Sequence, residues 1–373
     1  MAAEWRESKW GEEISLDYGR ALRDYDKASG KFRVFGSNGP IGWTAKPLAP
    51  GPGVILGRKG AYRGVEFSHD PFFVIDTAYY VVPKTELDMR WLYYSMKHHK
   101  LGEIDDGSPV PSTTRAAVYG QDLRVPPLVE QKAIASILGA LDDKIELNRQ
   151  MNETLETMGR ALFLNRFVET TKTGLPKGRR YATIAELCNI NSWTLGHSDE
   201  LDRIEYVEIS EVVRGEIGNI QFYERGKEPS RARRRLRHGD TVLSTVRPDR
   251  GSYFLCLHPS PGIIASTGFA VLTPTKAPWS FIHAAMTQSD IFEYLGQQAD
   301  GGAYPAVRPE IIGGLEVPWP GNPKVVEAFH QACAPLYERA WHNRQESRTL
   351  VALRDALLPK LLSGELRVPT QKE

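Results

Sequence analysis

Basic side chains gather on flexed, glycine-bounded stretches of this chain, and they suit one chemistry, the holding of phosphates and the reading of base edges. Cations pair with phosphate oxygens, while guanidinium, amide and hydroxyl groups address base edges in a groove. One such stretch is Gly57-Arg-Lys-Gly-Ala-Tyr-Arg-Gly64, carrying Arg58, Lys59, Tyr62 and Arg63. Its counterpart, Ser244-Thr-Val-Arg-Pro-Asp-Arg-Gly251, carries Thr245, Arg247 and Arg250. Each follows a short apolar run, and this repeated placement favours function over a merely solvated loop. A second candidate surface is a Gly-x-x-x-Pro loop that occurs twice. Gly107-Ser-Pro-Val-Pro111 brings Ser108, Ser112, Thr113, Thr114 and Arg115, and Gly301-Gly-Ala-Tyr-Pro305 brings Tyr304 and Arg308. Hydroxyls at such places also cap a following helix, and the two readings are compatible.

A third concentration is Arg225, Lys227, Arg231, Arg233, Arg234, Arg235 and Arg237, set against the single acid Glu228. Phosphate contact, with affinity falling steeply in salt, is favoured there over a charged hairpin in water. Gly36-Ser-Asn-Gly39 could present Ser37 and Asn38 to a base, but a tight turn with Asn at positive φ explains it better.

Catalytic constellations are missing. The sequence has no GxxxxGK[ST] loop for ATP phosphates, no strand-following glycine turn of an S-adenosylmethionine site and no Asn/Asp-Pro-Pro-Tyr/Phe element. Pro248-Asp249 is not followed by Glu-x-Lys, so a nuclease core of that type is unsupported. His98-His99 is the one adjacent histidine pair, and helix neighbours point about 100° apart, so no metal site is expected. Cys188, Cys256 and Cys333 are widely separated and read as reduced, buried residues of a cytoplasmic protein. The N-terminal segment is polar and no stretch reaches a membrane span, so neither a signal peptide nor a membrane is expected. A net charge of +1 over 373 residues means that a nucleic-acid binder would concentrate its positive charge locally.

These loops must be positioned by something, and the chain supplies the same something twice. Gly53-Val-Ile-Leu56 has a partner in Asp240-Thr-Val-Leu243, and Asp76-Thr-Ala78 in Ser266-Thr-Gly268. Leu123-Arg-Val-Pro126 returns as Leu315-Glu-Val-Pro318, and Asn148-Arg-Gln150 as Asn343-Arg-Gln345. Their common order and nearly constant offset predict two copies of one unit. The first part of each copy is rich in glycine, proline, aromatic and β-branched residues, which predicts strands and turns with a few short helices. The second part takes up helical spacing.

Apolar residues recur at seven-residue steps at Ile134, Leu141, Leu155 and Leu162, with Asn148 at the remaining step. Phe329, Leu336, Leu350 and Leu357 repeat the spacing, with Asn343 in the gap. Such a seam predicts a coiled coil, and a polar residue within it fixes register and partner. If the helices pair antiparallel, the two asparagines come near one another. Each helix would be roughly 55 Å long. The expected fold is therefore α+β, with two strand-rich mixed α/β domains, each followed by a long helix, and the helices paired as an antiparallel coiled coil. The expected layout is strand-rich domain one over 1–128, helix one over 129–168, a linker over 169–180, domain two over 181–321 and helix two over 322–368. Lys172, Lys177, Arg179 and Arg180 in the linker read as solvated.

Pro126-Pro-Leu-Val-Glu-Gln-Lys-Ala-Ile-Ala-Ser-Ile-Leu138 resembles the opening of the first conserved helical region of specificity subunits of type I restriction-modification systems. Leu357-Leu-Pro-Lys-Leu-Leu-Ser-Gly-Glu-Leu366 resembles the end of their second. The second helical region opens with Asn322-Pro-Lys-Val-Val-Glu327, a departure from that pattern. The resemblance implies two target recognition domains, each reading one half of an asymmetric bipartite sequence in double-stranded DNA, with helices that set the unread spacer. It implies a subunit that is no enzyme on its own and holds no cofactor. S-adenosylmethionine, ATP and Mg would be bound by its partners, two modification (methyltransferase) subunits and the restriction (translocase/nuclease) subunits. The arginine-rich stretch could then contact a modification subunit instead of phosphates. The alternative is a specificity or scaffold subunit of another DNA-modifying defence complex.

Overall fold

The computed structural model describes residues 4–25, 30–105, 107, 110–169, 174, 178–196, 199–302 and 304–368. The chain divides into two compact units, one comprising Met1–Glu146 and Arg348–Glu373, the other Leu147–Ser347. Ser108, Lys172 and Lys177 lie outside the described residues. No described helix is long and apolar enough to cross a membrane.

In unit one the strands are β1 (Arg6–Lys9), β2 (Ile14–Tyr18), β3 (Phe32–Gly36), β4 (Gly39–Thr44), β5 (Gly53–Gly57), β6 (Val65–Ser68), β7 (Phe73–Val74), β8 (Ala78–Pro83) and β9 (Asp122–Val125). The helices are α1 (Trp10–Glu13), α2 (Met89–His98), α3 (Arg115–Tyr119) and the first part of α4 (Leu128–Phe163). A four-stranded sheet runs β2-β8-β5-β6, a three-stranded one β4-β3-β7, and β1 pairs with β9. β5 is buried at every position, as a short uninterrupted apolar run predicts for a central strand. Its sheet packs with α2 around Trp10, Leu16, Leu56, Trp91 and Leu92, and Ile134, Leu138, Leu361 and Leu362 close the same core.

Unit two holds β10 (Arg180–Thr183), β11 (Cys188–Ile190), β12 (Arg203–Val207), β13 (Val212–Val213), β14 (Glu216–Ile217), β15 (Gln221–Glu224), β16 (Ala232–Arg235), β17 (Asp240–Ser244), β18 (Tyr253–Cys256), β19 (Ile263–Ser266), β20 (Phe269–Pro274) and β21 (Glu316–Trp319). Its helices are α5 (Ile184–Leu187), α6 (Trp279–Met286), α7 (Ser289–Gln297), α8 (Pro309–Gly313), and parts of α4 and of α9 (Pro323–Ser363). The sheet order β11-β20-β17-β18 reproduces β2-β8-β5-β6, and β10 pairs with β21 as β1 does with β9. The second sheet repeats as well: β12 pairs antiparallel with β15 and parallel with β19, as β3 does with β4 and β7. Unit two adds β16 to this sheet and the small β13-β14 pair.

Within each unit the helix segments run antiparallel. In unit one Asp142 meets Arg354 at 2.7 Å. In unit two Asn148 donates to the Asn343 carbonyl at 3.3 Å and to Glu346 at 2.9 Å, and Asn343 donates to Asn152 at 2.9 Å. Ile134, Asn148, Phe329 and Asn343 of the expected seam are buried, and Leu141, Leu155, Leu336, Leu350 and Leu357 are half-buried. Leu162 is a correction. It is 41% exposed, and Phe163 takes the inward place. A seven-residue repeat drifts about 20° per heptad on a straight α-helix, so the buried stripe moves to the next residue. After Phe163 the chain makes a π-turn, Leu164–Val168, which turns Phe167 inward beside Phe163, Phe281 and Phe329.

Candidate nucleic-acid interface

Two loops that were separate candidates in the sequence form one structure in each unit. In unit one the Thr113 amide donates to the Arg58 carbonyl at 2.9 Å, the Gly60 amide donates to Pro111 at 3.0 Å, and Lys59 bridges to Ser112. In unit two the Val307 amide donates to Thr245 at 2.9 Å, the Arg247 amide donates to Pro305 at 2.8 Å, and Val246 bridges to Ala306. The same backbone clip therefore joins the loop after the central strand to the Gly-x-x-x-Pro loop twice. Backbone groups withdrawn from water must be paired, and here each loop supplies the other's partners.

Side chains on the clip divide into two kinds. Arg63 braces the loop: its guanidinium donates to Thr113 Oγ1 at 3.1 Å, to Gly60 at 2.5 Å and to Ile104 at 2.9 Å. Thr113 is fully buried, and Thr245 is nearly so with its hydroxyl on the Gly268 carbonyl at 2.8 Å, so neither reaches a ligand. Thr114 caps α3, accepting from the Ala117 amide at 3.2 Å. These placements correct the reading of Arg63, Thr113 and Thr245 as contact residues. Position in the chain put them on the loop, but burial and pairing turned them inward.

The others face outward. Arg58 and Arg115 both lie over Tyr18, at 4.8 Å and 4.1 Å from its ring centre, and Tyr18 is 48% exposed. Arg58 also donates to the Asp76 carbonyl, and Arg115 Nε is buried without a hydrogen-bond partner. Among the described residues neither guanidinium has an ion pair. In unit two Arg247 lies 4.8 Å from the ring centre of Tyr304, which is 73% exposed. Tyr62, Lys59, Arg250 and Arg308 are exposed around the two clips. Tyr18 was not legible as a site residue, although its place at the end of a strand paired with Tyr79 at the start of β8 offered a signal.

The arginine-rich stretch is partly neutralised. Arg225 pairs with Glu228, Lys227 with Glu224 and Arg235 with Asp199. Arg231 and Arg237 are exposed, Arg233 donates to Ser230, and burial lowers the pKa of Arg234. Arg235 and Arg237 flank Trp193 at 3.9 Å and 4.5 Å, a tryptophan the sequence reading passed over. Ser37 closes the turn at the end of β3, its carbonyl accepting from Gly64 and its hydroxyl donating to Thr77. Basic side chains thus gather on two loop clips and one strand edge, each beside an exposed or half-buried aromatic ring. Such a set can hold a phosphate by charge and a base by stacking.

The family described as Type I restriction modification DNA specificity domain matches residues 4–157. The chain is 23% identical over 330 residues to the Type I restriction enzyme MjaIX specificity subunit of Methanocaldococcus jannaschii, covering 77% of this chain and 71% of that protein. It is 23% identical over 329 residues to the Type I restriction enzyme HindI specificity subunit of Haemophilus influenzae, covering 69% and 71%. Its fold is similar to the crystal structure of the type I restriction-modification S subunit from M. genitalium, with a TM-score of 0.64, 17% identity and 96% of each chain covered. With a DNA specificity domain family matching its start, specificity subunits similar along most of its length and a fold similar to that of an S subunit, the chain is similar to the specificity subunits of type I restriction-modification systems.

Proposed function

We propose that each unit reads one half of an asymmetric bipartite target in double-stranded DNA and that the chain itself catalyses nothing. The loop clip supports this most: one backbone device, repeated in both units, carries guanidinium groups against a tyrosine ring, from different positions in each unit. A repeated frame with divergent groups suits two half-sites of different sequence. Arg247 adds weight. It occupies a left-handed conformation, φ +46°, where unit one has Gly60, and keeping a non-glycine side chain there costs about 1 kcal/mol.

In this reading the paired segments of α4 and α9 set the unread spacer and recruit two modification subunits, with restriction subunits joining the complex. Those partners bind S-adenosylmethionine, ATP and Mg. Co-expression with the modification subunits, followed by mapping of methylated adenine, tests the proposal. One bipartite motif with a fixed gap is expected. Arg58→Ala with Arg115→Ala should relax or alter one half, and Arg247→Ala with Arg250→Ala the other, each lost base contact weakening discrimination by about 1–3 kcal/mol. Methylation that is unaffected by removing this chain would leave only a scaffold.

A further inference from the structure

Three side chains distant in sequence meet in unit two, away from the loop clip. His238 stands two residues before β17, His258 two residues after β18, and Glu338 on α9. One ligand atom from each lies within 4.8 Å of the others, and His258 Nε2 is 2.9 Å from a Glu338 carboxylate oxygen. The two imidazole rings are 4.7 Å apart. The His258 backbone amide donates to His238 Nδ1 at 3.2 Å, a bond that holds the two histidines side by side and that a metal bound at Nδ1 would replace. His258 holds φ +46°, a conformation that non-glycine residues rarely adopt and that aims its ring at Glu338. Trp279 stands edge-on to His238 and Trp341 to His258, giving the cluster apolar walls.

Unit one provides an internal contrast. His69 follows β6 and faces Asp143 on α4 at 3.9 Å, the same strand-end histidine and helix carboxylate. There the place of His238, two residues before the central strand, is held by Gly51, and Arg90 binds the Asp143 carboxylate at 2.6 Å and 2.8 Å. Unit one thus offers two groups and a competing cation. In unit two three groups converge, and no Lys or Arg pairs with Glu338 among the described residues.

We propose that His238, His258 and Glu338 bind one divalent first-row transition-metal ion, with zinc the metal their ligand types suit best. Two imidazole nitrogens and one carboxylate oxygen are a zinc donor set, leaving a fourth position for water. Ligand atoms about a zinc ion with ordinary bond lengths stand about 3.3 Å apart, a distance these side chains reach by modest rotation. The ion ties the strand ends flanking β17 and β18 to α9 within the unit. It is a structural clasp and takes part in no reaction.

The test uses the untagged full chain, stripped with chelator and titrated with zinc chloride by calorimetry and with cobalt(II) by visible absorption. One ion per chain at micromolar affinity or tighter is expected, with the visible bands of four-coordinate cobalt. Zinc at about 100 times its Kd should raise Tm by roughly 5 °C. His238→Ala and Glu338→Gln should weaken binding at least about tenfold, as loss of even an outer-shell partner can. His69→Ala should leave it unchanged. Melting of the metal-free variants separates a lost ligand from a lost fold. A folded His238→Ala chain that binds zinc as tightly as the unsubstituted chain overturns the site, as does the absence of stoichiometric binding. No DNA enters the readout, so failure here is distinct from failure of the recognition reading.

Discussion

The two units share a strand order and a loop clip, yet they place different residues at matching points of the frame. Where unit one has Gly60 at φ +111° with open space around it, unit two has Arg247 at φ +46°, and both amides donate to the facing proline carbonyl. At the end of the first short helix, unit one buries the carboxylate Glu13, while unit two buries Leu187. At the start of the central strand the asymmetry reverses, with Gly53 in unit one and the buried Asp240 in unit two. Backbone hydrogen bonds define the frame, and they are indifferent to side-chain identity. Buried charges are tolerated where local donors meet them, so each unit carries its own set and its own response to acid.

Four substitutions sharpen or break this contrast, and the largest effect is expected at Glu13. The Arg6 guanidinium beside it, at 2.6 Å and 3.0 Å, lowers its pKa from an ordinary 4.5 to about 2 against the opposing pull of burial, with Ser8 and Thr85 also donating. Because the folded value lies below the unfolded one, this stability is present above about pH 4.5 and disappears as pH falls toward 2. Arg6 is 54% exposed, which tempers the pair to about 2–3 kcal/mol. Glu13→Gln should therefore destabilise unit one at neutral pH and flatten its acid response, read by hydrogen exchange of its strand amides. An unchanged acid profile would break the contrast.

Asp240 should answer in the opposite sense and more weakly. Burial raises its pKa from 3.8 to about 6, despite the Arg237 amide that donates to it at 2.7 Å and the lowering influence of the Thr273 hydroxyl. A raised folded value favours the protonated form, so its penalty is absent below pH 3.8, grows between there and about 6, and is constant above. Asp240→Asn should stabilise unit two by about 1–2 kcal/mol at neutral pH and by nothing near pH 3, measured in denaturant. The smallest effect belongs to the clip. Gly60→Arg should cost about 1 kcal/mol from the left-handed backbone alone, and Arg247→Gly should be neutral or stabilising by a few tenths. If both substitutions destabilise equally, the two clips are not one device.

Much of the frame was legible because it is written in local pattern. The fully buried β5 is a short apolar run, β17 carries Val242 and Leu243 at the corresponding place, and the clip residues follow each at the same spacing. The long helices show as runs of helical spacing, and the asparagines in both stripes marked where polar groups would meet. The roles of individual loop residues were not legible. Arg63 and Arg58 stand on the same loop, five residues apart, yet one is consumed by three internal acceptors and the other lies on an exposed tyrosine. Spacing cannot tell which basic side chain will find carbonyls already waiting.

What the amino-acid sequence determined by itself was the duplication, the strand-rich first part and helical second part of each copy, and the loops that would carry positive charge. Those follow from periodicity and turn chemistry, which act over a few residues. Tertiary structure alone decided that two separate loops join through backbone hydrogen bonds, and that Phe163 rather than Leu162 faces the core. It alone brought His238, His258 and Glu338, separated by up to 100 positions, within 4.8 Å of one another. Such meetings depend on how sheets and helices pack, and no short-range pattern encodes the distance between residues on different elements.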